Sequence, residues 1–326
     1  LNGKSIDGGL GRILTYVRIS VTDRCNFRCR YCMPESGVTQ LDHSRIMAYE
    51  DMLFLFETLV SLGVRRVRLT GGEPFVRKGF VPFLGELRAR LPQLSVAITT
   101  NGSLVEPFAE ELGKLQLDGI SVSLDSLDEA DFRDITRCGS LSDVLSGIRA
   151  LRKYSDKVKL NTVLIKGFND HQLGDLIDFA RSERVLLRFI EFMPLDSSVW
   201  FQDSFLSVDH MIGRISDGGG WTREGPSLSP DSGPSVYYRN DKTGQRVGFI
   251  AAVSHHFCHS CNRLRITSDG EVRPCLFSSE GESLLPALRN RDREELVRSI
   301  LSGALRKPDC WTDLAVGENH MSRIGG

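Results

Sequence analysis

Six short apolar, β-branched runs separated by helical patterns constrain the fold of this chain more than any other feature. Tyr16 to Thr22, Val64 to Thr70, Leu94 to Thr99, Gly119 to Leu124, Val158 to Ile165 and Leu186 to Phe192 each read as a buried strand. Between them Phe80, Phe83, Leu84, Leu87 and Leu91 recur at helical spacing, as do Leu173, Leu176, Ile177 and Ala180, and Leu141 to Tyr154 is a further helical pattern. Strand and helix alternating over this length imply parallel βαβ units with right-handed crossovers. Such units build either a doubly wound sheet or part of a β/α barrel, and periodicity alone leaves both open. Either way the active site lies at the carboxyl ends of the strands. Here the polar, Gly-rich segments follow the strands: cysteines after the first, Gly71-Gly72-Glu73-Pro74 after the second, Asn101-Gly102 after the third. The chemistry therefore faces one rim.

After Pro194 the alternation stops. Residues 216 to 235, with Asp217-Gly218-Gly219-Gly220, read as a mobile loop or connector. Val236 to Asn240 and Arg246 to Val253 read as a hairpin turning through Asp241-Lys242-Thr243-Gly244. Gln245 to Phe277 looks like a metal-organised appendage, in which ligation replaces part of a small hydrophobic core. Asp292 to Arg306 is expected to be an amphipathic helix, and Trp311 to Gly326, without periodicity, a frayed tail.

Cys25-Asn26-Phe27-Arg28-Cys29-Arg30-Tyr31-Cys32 spells C-x3-C-x2-C directly after the first strand, with no fourth cysteine nearby. Thiolates suit iron-sulfur clusters, and a cubane held by three of them keeps one iron open to a substrate or cofactor. Cys258, Cys261 and Cys275 repeat the arithmetic as C-x2-C-x13-C. A closed zinc site completed by His255, His256 or His259 is the competing reading there. Cys138 and Cys310 are isolated in sequence and read as structural or surface thiols.

Composition excludes several classes. The 326 residues carry 41 basic and 42 acidic side chains, a net charge of −1, so neither a duplex-binding protein nor a polybasic membrane surface is indicated. No apolar run approaches the roughly 20 residues of a membrane helix. The expected location is the cytoplasm, or an organelle if a transit peptide preceded Leu1. Eight cysteines in a reducing compartment point to metal or catalysis before disulfides. Arg18, Arg68, Lys159 and Arg188 fall inside predicted strands, where a charge is costly without a partner. An anion would pair them; salt bridges or an outward orientation are the plainer alternative.

C-x3-C-x-aromatic-C followed by Thr70-Gly71-Gly72-Glu73-Pro74 resembles the two signature motifs of the radical S-adenosylmethionine enzymes. His256-Phe257-Cys258-His259-Ser260-Cys261-Asn262-Arg263-Leu264-Arg265, Pro274-Cys275-Leu276-Phe277, Arg188 to Pro194, Arg18 to Asp23 and the terminal Gly325-Gly326 narrow the resemblance to the GTP 3',8-cyclase family. It runs from about Asn2 to Gly326 and is weakest between 200 and 240.

That resemblance implies an α/β fold, an incomplete (βα)6 TIM-type barrel with a C-terminal Fe-S-binding appendage closing the open side. It divides the chain into a barrel over 1–200 and a C-terminal region over 201–326 with an auxiliary cluster and a Gly-Gly tail. It implies two 4Fe-4S clusters, one on Cys25, Cys29 and Cys32 and one on Cys258, Cys261 and Cys275, with S-adenosylmethionine contacted by Tyr31, Gly72, Ser123 and Met193 and its ammonium accepted by Glu73. It assigns GTP to Arg18, Arg68, Thr99, Lys159, Arg263, Leu264 and Arg265. Lys159 is preferred over Lys157 because it precedes Leu160-Asn161-Thr162-Val163, and Arg188 stays outside the assigned set.

The implied reaction is cleavage of S-adenosylmethionine, hydrogen abstraction from the ribose C3' of GTP, and attack on guanine C8 to give 3',8-cyclo-7,8-dihydroguanosine 5'-triphosphate. No side chain stands out as general acid or base. The family also suggests a flavodoxin- or ferredoxin-type reductant, a homodimer, a downstream cyclic pyranopterin monophosphate synthase, and a Gly-Gly tail that reaches the active site. A peptide-modifying maturase remains an alternative, although it predicts more C-terminal cysteines. So does an electron carrier or zinc module, which has no use for Thr70 to Pro74 or for strand-borne arginines.

Overall fold

The computed structural model describes residues 5–196, 200, 202–225, 233–314 and 321–325. Strands β1 (Tyr16–Ser20), β2 (Arg66–Thr70), β3 (Ser95–Thr100), β4 (Gly119–Ser123), β5 (Val158–Leu164) and β6 (Leu186–Glu191) pair in parallel in sequence order. The crossovers carry helices α1 (Tyr49–Ser61), α2 (Phe80–Arg90), α3 (Ala109–Lys114), α4 (Glu129–Thr136), α5 (Leu141–Tyr154) and α6 (Leu173–Ser182). All six expected strands and the three expected helices are present, with ends shifted by a few residues. The side chain of Ser140 caps α5 by accepting from Asp143 N.

Each strand alternates. Val17 and Ile19, Val67 and Leu69, Val96 and Ile98, Ile120 and Val122, Leu160 and Leu164, and Leu187 and Phe189 are buried in the main apolar core. The intervening positions, among them Arg18, Arg68, Thr99, Ser123, Lys159 and Arg188, face one common cavity. Strands from every part of the sheet lining one cavity means that the sheet curls around it, which selects the barrel over the flat doubly wound sheet.

The barrel does not close on itself. Helix α7 (Val208–Ser216) is followed by β7 (Trp221–Arg223), β8 (Val236–Asn240) and β9 (Arg246–Ile250); β10 (Arg263–Ile266), β11 (Glu271–Arg273) and β12 (Glu282–Ser283) come next. The expected hairpin is β8–β9. Strand β9 adds in parallel to β6 and β10 adds in parallel to β1, giving the order β12-β11-β10-β1-β2-β3-β4-β5-β6-β9-β8-β7. The C-terminal region thus lies across the open side by extending both edges. Leu264 and Ile266 of β10 and Val247 and Phe249 of β9 are buried in the barrel's own core. Gln245 to Phe277 therefore needs no separate small core, because its strands borrow the large one. Part of the expected connector is strand β7; residues 226–232 lie outside the described residues.

Glu191, fully buried at the end of β6, accepts from Val208 N and Val253 N at 2.8 Å and Ser254 N at 2.9 Å. One carboxylate thus fixes α7 and the segment after β9 to the barrel rim. Helices α8 (Leu285–Arg289) and α9 (Arg293–Leu305) cover the outer side near β11 and α1; α9 is the expected amphipathic helix and Asp292 caps it.

The tail differs from the frayed expectation. Helix α10 (Met321–Ile324) packs by β1 with Ser322 and Ile324 buried. Arg265 Nη1 donates to Gly325 O, and a Cβ on Gly325 would sit 2.5 Å from Thr70 Oγ1. Burial against the barrel replaces the periodicity that the tail's sequence lacks. Gly326 lies outside the described residues.

Candidate active site

The first triplet occupies the loop leaving β1. That loop is tied to the Gly-Gly turn after β2 by Gly72 N to Thr22 O and Glu73 N to Arg24 O, both 2.8 Å. A Cβ on Gly72 would fall 2.2 Å from Arg24 O, so only glycine lets the two backbones pass. Gly72 is absent from the cavity lining, and the approach it permits is to the cysteine loop itself. Glu73 is fully buried and accepts from Thr100 Oγ1 at 2.7 Å, Asn101 N at 2.6 Å and Phe75 N at 3.2 Å. Burial pushes its carboxyl up to about 7 against the pull of those donors. Its observed work is to lock the ends of β2 and β3 together.

Burial pushes the Cys25 thiol up to about 11 and Cys32 up to about 12. Cys29 lies well above the usual thiol range through burial and the neighbouring Cys32. Tyr31, in the same loop, lines the cavity and donates to Asp125 Oδ2 at 2.6 Å, while Asp125 Oδ1 accepts from Val163 N at 2.8 Å. Burial raises Asp125 to about 6. Ser123 and Met193 line the same cavity.

Cys258, Cys261 and Cys275 line the same cavity, of about 280 Å³, to which the loop of the first triplet contributes Tyr31. Burial opposes the Cys261 thiolate, but the charges of Arg263 and Lys307 outweigh it and bring the thiol down to about 6. Each triplet offers sulfur only. Among the described residues, one set of three His, Cys, Asp or Glu donor atoms lies within 4.8 Å of one another, and it is neither triplet but His256, Cys258 and Cys310. A single zinc ion with Zn–S of about 2.3 Å would pull three thiolates closer than either triplet stands. Soft donors at wider spacing fit the multi-iron clusters.

The cavity is cationic: eight Lys or Arg side chains and one carboxylate, Asp125, line it. Arg18 pairs in register with both Arg68 and Arg265. Arg68 Nη1 donates to Ile98 O, Thr99 Oγ1 and Ser121 Oγ at 2.9, 3.1 and 3.0 Å, and its Nε to Tyr16 Oη at 2.8 Å. Arg188 donates to Asn161 Oδ1 and Ser121 Oγ, both at 3.0 Å. Burial, then the charge of Arg265, holds Arg18 well below the usual guanidinium range. Burial with neighbouring arginines lowers Lys159 to about 8 and Arg188 and Arg265 to about 10. Mutual repulsion at this density is relieved by a polyanion.

The assigned residues Arg18, Arg68, Thr99, Lys159, Arg263 and Arg265 all converge here, and Lys157 is exposed before β5. Leu264 does not converge: its side chain is buried in the core, on the face of β10 opposite Arg263 and Arg265, and it is absent from the cavity lining. Sequence reasoning missed Tyr16, Arg66, Asp125, Asn161 and Lys307, and left Arg188 out. The strand alternation that put Arg18 and Arg68 inward would have found Tyr16, Arg66, Asn161 and Arg188. Cys138, isolated in sequence, sits beside the first triplet with its Sγ 3.3 Å from Asn26 O, and Cys310 sits beside the second.

Residues 19–180 match the Radical SAM superfamily, and residues 185–312 match Molybdenum Cofactor Synthesis C. The GTP 3',8-cyclase of Alkaliphilus oremlandii is 40% identical over 321 residues, covering 97% of this chain and 98% of that protein. The chain belongs to the GTP 3',8-cyclase family. The enzyme of the same name from Syntrophomonas wolfei is 41% identical over 323 residues, covering 97% of this chain and 98% of that one. Among solved structures, Streptococcus suis SuiB bound to S-adenosylmethionine superposes with a TM-score of 0.65 over 90% of this chain and 68% of that one, at 14% identity. At that identity the likeness shows the fold alone, that of the radical S-adenosylmethionine enzymes. Members of the family use S-adenosylmethionine and two 4Fe-4S clusters, in keeping with two sulfur-only triplets.

Proposed function

We propose that this chain converts GTP to 3',8-cyclo-7,8-dihydroguanosine 5'-triphosphate, the first step of molybdenum cofactor biosynthesis. The observation that carries the reading is the cation-lined cavity whose wall also holds the second cysteine triplet, in a chain so similar to GTP 3',8-cyclases. It receives a polyanion and sets the attached ring system beside soft metal ligands.

Cys25, Cys29 and Cys32 hold the first cluster, and Cys258, Cys261 and Cys275 the second. Bound at the first site, a cluster with S-adenosylmethionine would supply the radical chemistry for hydrogen abstraction. Everything else is the work of side chains. Tyr31, Ser123 and Met193 wall the S-adenosylmethionine side, with Gly72 keeping the cysteine loop in place. Arg18, Arg68, Lys159, Arg188 and Arg265 bind the triphosphate, with arginine forks matching phosphate oxygens in pairs. Thr99 keeps Arg68 in line, and Arg263 borders the guanine side. Fixing ribose and guanine in this enclosed space orients C3' and C8 and keeps water from a reactive carbon centre.

In this reading residues 1–200 form the S-adenosylmethionine part and residues 201–326 the nucleotide-cluster part, sharing one sheet. The chain works as a cytoplasmic homodimer, takes electrons from a flavodoxin- or ferredoxin-type donor, and passes its product to a cyclic pyranopterin monophosphate synthase. No helix among the described residues is long and apolar enough to cross a membrane.

The test is anaerobic incubation of reconstituted protein with GTP, S-adenosylmethionine and a reductant. Equal formation of 5'-deoxyadenosine and the cyclised nucleotide is expected, and none from Cys25→Ser. Cyclisation by Cys25→Ser, or 5'-deoxyadenosine without a GTP-derived product, would sink the reading.

A further inference from the structure

Cys310 is far in sequence from every other cysteine, yet the fold carries it to the second triplet. Donor atoms of His256, Cys258 and Cys310 all lie within 4.8 Å of one another, with Cys310 Sγ 3.5 Å from His256 Nε2. His256 and Cys310 stand outside the three-thiol set, and both are accessible from solvent.

The grouping is held by built structure. Cys310 N donates to Asp313 Oδ2 at 2.9 Å, closing the short helix Trp311–Asp313, and Trp311 stacks on Phe277 at 4.5 Å. Arg12 Nη1 donates to both Cys258 O at 3.2 Å and Pro308 O at 2.9 Å, so one guanidinium joins the two cysteine-bearing segments. Lys307 Nζ donates to Pro274 O and Arg263 O, both at 2.8 Å. The segment carrying Cys310 is thereby pinned to the second-triplet loops from several directions, and its donors need little rearrangement to meet an ion.

We propose that in the cluster-free chain His256, Cys258 and Cys310 form a mononuclear site for a zinc-type divalent ion, overlapping the three-thiol set at Cys258. Two thiolates and an imidazole are a borderline-soft donor set, and water completes the tetrahedron on the exposed side. Zn–S of about 2.3 Å and Zn–N of about 2.0 Å place such donors within about 4 Å of one another, a small contraction from what is seen. An ion held here takes Cys258 from the three-thiol set, so zinc and cluster compete for the chain. The inference stands on donor geometry and does not depend on which nucleotide the cavity takes.

The experiment is anaerobic Co2+ titration of the reduced, cluster-free full-length chain, with Cys25, Cys29 and Cys32 changed to serine to silence the first triplet. One Co2+ per chain is expected, with thiolate-to-cobalt charge-transfer absorption and tetrahedral d–d bands that Zn2+ abolishes. Cys310→Ser and His256→Ala should each weaken binding at least about tenfold, whereas the double variant Cys261→Ser/Cys275→Ser should bind within about twofold of the parent. Retained binding by that double variant also shows that the scaffold survives. The reverse pattern places the ion on the three-thiol set and overturns the proposal; loss in both sets of variants overturns it too, since no separate site then exists. As a second readout, Zn2+-loaded protein should resist iron and sulfide incorporation at the second triplet, and Cys310→Ser should restore it. Unimpaired incorporation into zinc-loaded parent would contradict the competition.

Discussion

Tyr16 faces a ring of fixed charge. Its hydroxyl accepts from Arg68 Nε at 2.8 Å and the Arg66 guanidinium lies 5.4 Å from its ring centre. Burial alone would raise its phenol, but the charges of Arg68 and Arg18 prevail and bring it down to about 7. A phenolate here adds negative charge at the proposed triphosphate site, so binding there favours the protonated phenol. Affinity for GTP should therefore fall as pH rises through about 7, by at most about tenfold per pH unit for one linked proton. Titration calorimetry across that range should show the fall in the parent and a flatter profile in Tyr16→Phe. An unchanged slope in the variant would remove Tyr16 from the account. Residue identity was legible in sequence for the cysteines and for Arg18 and Arg68, because a charge in an apolar strand and a spaced thiol each stand out locally. Tyr16 shares the strand parity of Arg18, which marks its face, but the chemistry of a tyrosine in a strand is ordinary until its neighbours across the sheet are known.

Strand alternation explains most of the site at the level of elements. One face of each barrel strand is apolar against helices and the other is polar toward the cavity, so a single parity places Arg18, Arg68, Lys159 and Arg188 together. Lys157 fails that test only because β5 begins at Val158, a boundary that sequence patterns place within a few residues at best. The loop after β1 depends on a different rule, the passage of one backbone beside another at Gly72. Gly72→Ala would press a methyl to 2.2 Å from Arg24 O and displace the cysteine loop. Bound iron should drop from about eight to about four atoms per chain, with the second cluster's electron paramagnetic resonance signal kept. Full iron loading of the variant would show that the loop can shift without consequence.

Both exposed edges of the barrel are covered by strands that follow it in sequence. Strand β10 completes β1 and β9 completes β6, and Leu264, Ile266, Val247 and Phe249 go with them into the shared core. Burial of four such side chains is worth about 6 to 12 kcal/mol, comparable to the whole stability of a typical domain. Residues 1–200 expressed alone should therefore aggregate or elute as high oligomers in size-exclusion chromatography, through two unpaired edges. A monomeric, cooperatively unfolding fragment would contradict this. Local spacing determined the six strands, the helical patterns around 80–91, 141–154 and 173–180, and the two triplets, because each is read from one short stretch of sequence. Only the tertiary structure decided that the C-terminal strands close both edges, that the tail packs beside β1, and that Cys138 and Cys310 each stand beside a triplet. Those pairings join residues up to several hundred positions apart, and their energy comes from burial and hydrogen bonds that exist only once the sheet has curled.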